Sequence, residues 1–314
     1  MSIFKKKIKP HKTTYFFCGL PIWRTTPSTK DITYENLKRI NKLDYCLLPD
    51  ITTLPPAKGI RRELQLANLK ILLEVDKFCR KHNIRYWLVY GTLLGAVRHK
   101  DYIPWDDDID IGMLRSDYDK MIELFNRENP TSPIHLTYFS GSNGSSNMVK
   151  MRHKEIPELF IDIFPYELYT RKVPTWEEKI KLTQEVRKKT VKNRIPYKKQ
   201  NLEDFHQRLR KVHFEKILEN KPSAKEEDKP AIFPSCDFMH GPKYCFFIDY
   251  ETIFPLKTIK FCGHTFSCPN DEDTLLTTTY GDYMGYPTYV DNIHTDIKKL
   301  PISSIIKIKE YIKK

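Results

Sequence analysis

The chain has 314 residues and a formal net charge of +13, with 40% hydrophobic and 12% aromatic residues. That apolar supply excludes a disordered polymer and suffices for one elaborated domain or two small ones. No run of eighteen apolar residues occurs, so no membrane-spanning helix is expected.

Residues 1–55 read as an N-terminal extension. It begins MSIFKKKIKPHK, and no apolar stretch follows its lysines, so no secretory leader is expected. Within it, Tyr15 to Trp23 has the composition of a short hairpin, and Leu54-Pro55-Pro56 marks a boundary. From Arg61 to His82, Leu64, Ala67, Ile71, Val75 and Phe78 recur three and four residues apart. This predicts an amphipathic helix that packs beneath a sheet and ends near Asn83.

Arg85 to Tyr90 reads as a strand, Gly91-Thr92 breaks it, and Leu93 to Val97 starts a helix. A strand, a glycine and then a helix N-terminus expose backbone amides that suit a phosphate, although the same residues also make an ordinary tight turn. Asp106, Asp107, Asp108 and Asp110 follow, the last two alternating with Ile109 and Ile111. In an extended chain Asp106, Asp108 and Asp110 share one face and Asp107, Ile109 and Ile111 the other. Carboxylates so placed repel each other unless a hard divalent cation sits between them. An EF-hand loop starting at Asp106 would need glycine where Ile111 stands and glutamate where Asp117 stands, so that reading fails.

Ser116 with Asp119 resembles a capping box opening a second helix through Leu124 and Phe125. Strands are expected at Ile134 to Ser140 and Asn147 to Arg152 around a Gly141 to Gly144 loop, with Lys150 and Arg152 on one strand face. In Phe160 to Phe164 a single carboxylate, Asp162, interrupts an apolar strand, which is costly unless it is paired or metal-bound.

Residues 171–235 read as a basic helical insertion and linker. Its Leu202, Phe205, Leu209, Val212 and Ile217 are packing residues, and its His206 and His213 lack a third ligand. Asp237 to Tyr250 and Phe254 to Phe266 suggest hairpins, and Asp271 to Asp273 lead into a short helix before the Tyr280 to Pro287 block. Seven cysteines without a C-x-x-C pair point to reduced thiols, and Cys262, His264 and Cys268 match no common zinc spacing. Basic residues concentrate at the margins, and Ile302 to Lys314 has the basic amphipathic character that suits an anionic bilayer surface.

The string YGTLLGAVRHKDYIPWDDDIDIGM resembles the LicD family, which includes fukutin and fukutin-related proteins, within the polymerase beta nucleotidyltransferase superfamily. Further similar blocks are VKMRHKE at Val149 to Glu155, FIDIFPYE at Phe160 to Glu167 and CPNDEDTLLTTTYGDYMGYP at Cys268 to Pro287, in the family's order over about residues 60 to 290. The resemblance implies an α+β, nucleotidyltransferase-like mixed sheet flanked by helices, with a catalytic core at 56–170, the insertion at 171–235, a C-terminal part at 236–297 and a basic tail at 298–314.

It further implies that Asp108, Asp110 and Asp162 hold Mg2+ or Mn2+ and carry the catalysis. Gly91, Thr92, Arg98, Lys150 and Arg152 would contact donor phosphates. The implied reaction is transfer of phosphocholine from CDP-choline, or of ribitol phosphate, to a saccharide or lipid-linked glycan of a bacterial surface such as lipopolysaccharide, capsule or teichoic acid. It would take place in the cytoplasm, peripheral to the inner membrane face. A quaternary ammonium would favour an aromatic cage, for which Trp87, Tyr90, Tyr102 and Trp105 are candidates. The rival reading is nucleotidyl transfer to a nucleic acid or small molecule, although no nucleic-acid-binding motif is recognisable.

Overall fold

The computed structural model describes residues 4–9, 12–17, 20–25, 48–140, 147–169, 177, 230–234, 247–287 and 294–313. The basic insertion with His206 and His213, the Gly141 to Gly144 loop and most of the Asp237 to Tyr250 hairpin lie outside these residues. No described helix is long and apolar enough to cross a membrane.

The chain divides into two compact units. In the first, β1 (Phe4–Lys9), β2 (Lys12–Phe17) and β3 (Leu20–Thr25) form an antiparallel meander. Tyr15 pairs with Trp23 across β2 and β3, so the expected hairpin is present.

The second unit, from residue 54 to 284 and from 290 onward, is α+β. Its central helix α1 (Gly59–His82) buries Leu64, Ala67, Ile71, Val75 and Phe78, the stripe anticipated from spacing, and Leu72 beside it. Each of these side chains except the Ala67 methyl contributes about 1.5–3 kcal/mol of burial. Asn83 ends the helix in the left-handed conformation, its N–H returning to the Cys79 and Arg80 carbonyls. Arg80, Lys81 and His82 in the last turn complement the helix dipole.

A seven-stranded mixed sheet lies against this helix. It comprises β4 (Trp87–Leu88), β5 (Asp110–Leu114), β6 (Ile134–Ser140), β7 (Asn147–His153), β8 (Phe160–Tyr169), β9 (Ala231–Pro234) and β10 (Ile248–Asp249). The long strand β8 is its axis. One edge pairs in parallel with β5 over residues 162–166, and the other pairs antiparallel with β7 over 160–163 and then with β9 over 166–169. Buried on both faces, β8 reads as an apolar run in which Asp162 and Glu167 are the charged exceptions. Glu167 is answered by Arg115, whose guanidinium donates two bonds to it at 2.6 and 2.8 Å.

Helix α2 (Tyr90–Arg98) follows β4, and α3 (Arg115–Glu128) follows β5. The structure corrects two sequence expectations here. The strand read across Arg85 to Tyr90 shrinks to Trp87–Leu88 because the chain turns at Tyr90, whose φ is 46°, and enters α2 there. The Ser116–Asp119 capping box does not form: the helix starts at Arg115 behind an extended Leu114, with no side-chain cap. Asp117 instead takes up the Arg85 backbone N–H at 3.0 Å and guanidinium Nε at 2.9 Å.

Beyond the sheet lie α4 (Tyr250–Ile253), the hairpin of β11 (Lys257–Phe261) and β12 (His264–Cys268), α5 (Glu272–Tyr280) and α6 (Ile302–Lys313). Cys262 and Gly263 form the two-residue hairpin turn with φ of 49° and 80°, both positive as a type I′ turn requires. The Cys262 thiol donates to Asp101 at 2.9 Å, and Cys268 is buried in the core. Helix α5 is capped by Asp271, which accepts the Thr274 N–H at 3.0 Å.

Candidate active site

Strand register assembles the site. Asp110 on β5 pairs with Asp162 on β8, and Asp162 pairs in turn with Lys150 on β7. Pleating gives partners in register the same face, so Lys150, Asp162 and Asp110 form a row across three neighbouring strands. Asp108, two residues before the strand, completes the group. One oxygen from each of Asp108, Asp110 and Asp162 lies within 4.8 Å of the others. The four-aspartate segment is not one extended strand as expected, since β5 begins only at Asp110.

Asp108 and Asp162 are each 5% exposed, and Asp110 is half-buried. Burial, then the neighbouring Asp106, pushes the Asp108 carboxyl well above the usual carboxylate range. Burial followed by Asp108 and Asp162 does the same to Asp110. Burial raises Asp162 too, despite the Lys150 ammonium 2.7 Å from one of its oxygens. Asp106 is pushed up to about 6, chiefly by burial. Two buried carboxylates and one half-buried, facing one another with the Lys150 ammonium against Asp162, fit a hard divalent cation.

Lys150 tolerates burial because its Nζ also lies 4.6 Å and 4.3 Å from the ring centroids of Phe139 and Phe160. Arg152, two residues on, stacks over Phe160 at 5.2 Å and donates to the Pro157 carbonyl at 3.1 Å. It borders an open groove of ~390 Å3 that His294, Lys299 and Pro301 also line.

The glycine-threonine pair opens α2 beside the aspartates. A Cβ at Gly91 would come within 2.5 Å of the Asp106 carboxylate, so glycine is what allows that approach. Thr92 is buried, and its hydroxyl accepts the Asp110 N–H at 2.8 Å, fixing the start of β5. Arg98, at the far end of α2, is also buried and donates to the Tyr283 carbonyl at 2.6 Å. Of the four cage candidates, Trp87 and Tyr102 are core residues: Trp87 packs on Tyr166 and Phe254, and Tyr102 packs on Phe261 and donates to the Gln65 carbonyl. Tyr90 and Trp105 are half-buried.

Two sets of positioning groups carry no sequence signal. Gln65 and Asn68, fully buried on α1, hold the aspartate turn by its backbone. Gln65 donates to the Asp106 carbonyl at 2.8 Å and Asn68 to the Asp107 carbonyl at 3.0 Å, while Asn68 accepts the Phe160 N–H at 3.0 Å. Asn68 therefore ties the turn bearing Asp108 to the strand bearing Asp162.

The second set comes from the C-terminal segment. Backbone N–H groups of His294 and Thr295 donate to the two oxygens of Asp107 at 3.1 and 2.6 Å. Those bonds and the His294 imidazole outweigh burial and hold the Asp107 carboxyl below its usual range. The His294 Nδ1 lies 3.0 Å from Asp108 and 3.6 Å from Asp107, and the imidazole is raised to about 9 by Asp107 and then Asp108.

Residues 83–217 match the family model described as LicD/FKTN/FKRP, nucleotidyltransferase domain. The lipopolysaccharide cholinephosphotransferase LicD of Haemophilus influenzae is 28% identical over 253 residues, which span 73% of this chain and 93% of that protein. The ribitol 5-phosphate transferase FKRP of Homo sapiens is 31% identical over 83 residues, 26% of this chain and 17% of that protein. The chain carries a LicD/FKTN/FKRP-family domain over residues 83–217.

Proposed function

We propose that this chain is a phosphotransferase with a nucleotidyltransferase-like core, moving a phospho-alcohol from a CDP-linked donor to a sugar hydroxyl of a bacterial surface glycan. Phosphocholine is the first donor group proposed, in line with the cholinephosphotransferase of Haemophilus influenzae. The observation that carries this reading is the row of Lys150, Asp162 and Asp110 closed by Asp108, a largely buried set of acids suited to a cation that would in turn attract a phosphate.

Asp108, Asp110 and Asp162 would hold Mg2+ or Mn2+, which when bound offsets the negative charge of the donor diphosphate and the departing nucleotide. The chain's own groups supply the rest. Lys150 fixes the Asp162 carboxylate, Thr92 fixes Asp110 through its backbone, and the His294–Thr295 amides fix Asp107. Arg152 brings positive charge to the adjoining groove. The acceptor hydroxyl oxygen bonds to the donor's phospho-alcohol phosphorus, the bond from that phosphorus to the CMP oxygen breaks, and an aspartate of the cluster takes the hydroxyl proton.

Ribitol phosphate is the second reading for the transferred group. It is supported by the similarity to the human ribitol 5-phosphate transferase and by the burial of Trp87 and Tyr102, which removes half of the expected ammonium cage. The test is CMP release from CDP-choline and CDP-ribitol by wild type and Asp110→Asn. CMP release that falls at least about a hundredfold in the variant supports the reading, on the scale of losing one transition-state electrostatic contact. Unchanged turnover in the variant, or pyrophosphate release from nucleoside triphosphates instead, overturns it.

A further inference from the structure

The outer face of α6 is largely exposed in the described fold, with Lys309 lying 3.8 Å from Glu63 on α1. Its inner face is anchored: Ile308 is fully buried, Lys70 on α1 donates to the Tyr311 carbonyl at 2.8 Å, and Ser304 donates to Glu158 at 2.9 Å. The opposite face carries Ile302, 77% exposed, and Ile306, 51% exposed, the two most exposed large hydrophobic residues among those described. Single exposed apolar residues are ordinary, but these two stand one helical turn apart.

At 3.6 residues per turn, Ile302, Ile306, Lys309 and Lys313 fall within about 60° of arc. Lys298 and Lys299 immediately precede the helix. Over residues 298–314 six lysines face the single acid Glu310. We infer that this stripe is a docking surface for an anionic lipid bilayer, with the two isoleucines entering the headgroup boundary and the lysines meeting anionic headgroups. Apolar residues flanked by lysines on one face of a helix fit a negatively charged interface, whereas a neutral protein groove would have no use for the lysines.

The helix also has a position relative to the site. Lys299, Leu300 and Pro301 line the groove that reaches His294 and Arg152, and the chain runs from them directly into Ile302. Docking α6 therefore brings the groove to the lipid surface, which suits a lipid-linked acceptor. That last step alone rests on the glycan-transfer reading.

The test is co-sedimentation of the full chain with phosphatidylcholine vesicles, with and without phosphatidylglycerol. Wild type pellets with the anionic vesicles and not the neutral ones, and added salt releases it. Ile302→Ser with Ile306→Ser, and separately Lys298→Gln with Lys313→Gln, each weaken binding about tenfold or more. Circular dichroism on both pairs checks that they fold, and CMP release from a soluble donor stays at the wild-type level. The inference is overturned if wild type does not pellet, if it pellets equally with neutral vesicles, or if both folded variant pairs bind as wild type. It is overturned too if the isoleucine pair alters only self-association, which would make the stripe a contact between copies. Because the binding assay needs no turnover, inactive protein that still docks would refute the transfer reading and leave this one standing.

Discussion

Replacing Asn68 by Leu should damage both stability and catalysis. The substitution keeps the number and branching of side-chain heavy atoms but removes a buried amide whose two ends are both used, one on the Asp107 carbonyl and one on the Phe160 N–H. Each orphaned backbone group costs about 1–3 kcal/mol, giving about 2–6 kcal/mol for the pair. That is a large share of the ~5–15 kcal/mol that typically separates folded from unfolded states. Urea denaturation should show a lower midpoint with an unchanged slope. The released turn also carries Asp108, so turnover of folded variant should fall roughly ten- to a hundredfold, the scale of a small misplacement near the reacting atoms. Asn126→Leu is the control. Asn126 makes a similar pair of bonds to both backbone groups of Leu136, at 3.0 and 2.8 Å, but holds no aspartate. It should lose stability without losing turnover per folded molecule. If Asn68→Leu costs less than about 0.5 kcal/mol, the level of a surface change, or leaves turnover intact, the bracing argument is wrong.

Lys150→Met should strand the buried Asp162, and breaking a buried ion pair from one side costs about 3–5 kcal/mol. Mn2+ should recover more of the loss in this variant than it adds to wild type, and denaturation in EDTA against Mn2+ measures the difference; equal gains would count against cation binding at Asp162. Arg62→Met tests a pair away from the site. Burial raises the Asp101 carboxyl, but Arg62 at 2.7 Å, Cys262 and the Tyr102 N–H outweigh it and hold its folded pKa below the usual value. Stability from such a group is present above its unfolded pKa and is lost as pH falls through the folded one. The pair is partly exposed, so the variant should lose only about 1 kcal/mol at neutral pH. That gap should narrow below about pH 4, where the carboxyl titrates in the unfolded chain. A gap that widens in acid would contradict the assignment.

Much of this architecture could be read from local pattern. The three-and-four spacing of Leu64 to Phe78 gave α1, and the β6–β7 strands appeared where alternation put them, whereas Asp162 was brought to Asp108 and Asp110 by the family resemblance and its register with Asp110 by the structure alone. What escaped depends on partners distant in sequence. Gln65 and Asn68 look like ordinary polar residues of an amphipathic helix, and only the approach of a turn 39–41 residues away makes them internal. His294 reaches Asp107 across 187 residues from a stretch with no motif. Thr92 kept its place beside the aspartates, but its hydroxyl braces Asp110 through the backbone, a contact that a glycine-threonine turn does not announce.

Titration with Mn2+, followed by water-proton relaxation, measures the central claim most directly. Wild type should bind the cation, and Asp108→Asn, Asp110→Asn and Asp162→Asn should each weaken binding by roughly tenfold or more, as expected when one anionic oxygen ligand becomes a neutral amide. All three folded variants binding Mn2+ as tightly as wild type would contradict the account.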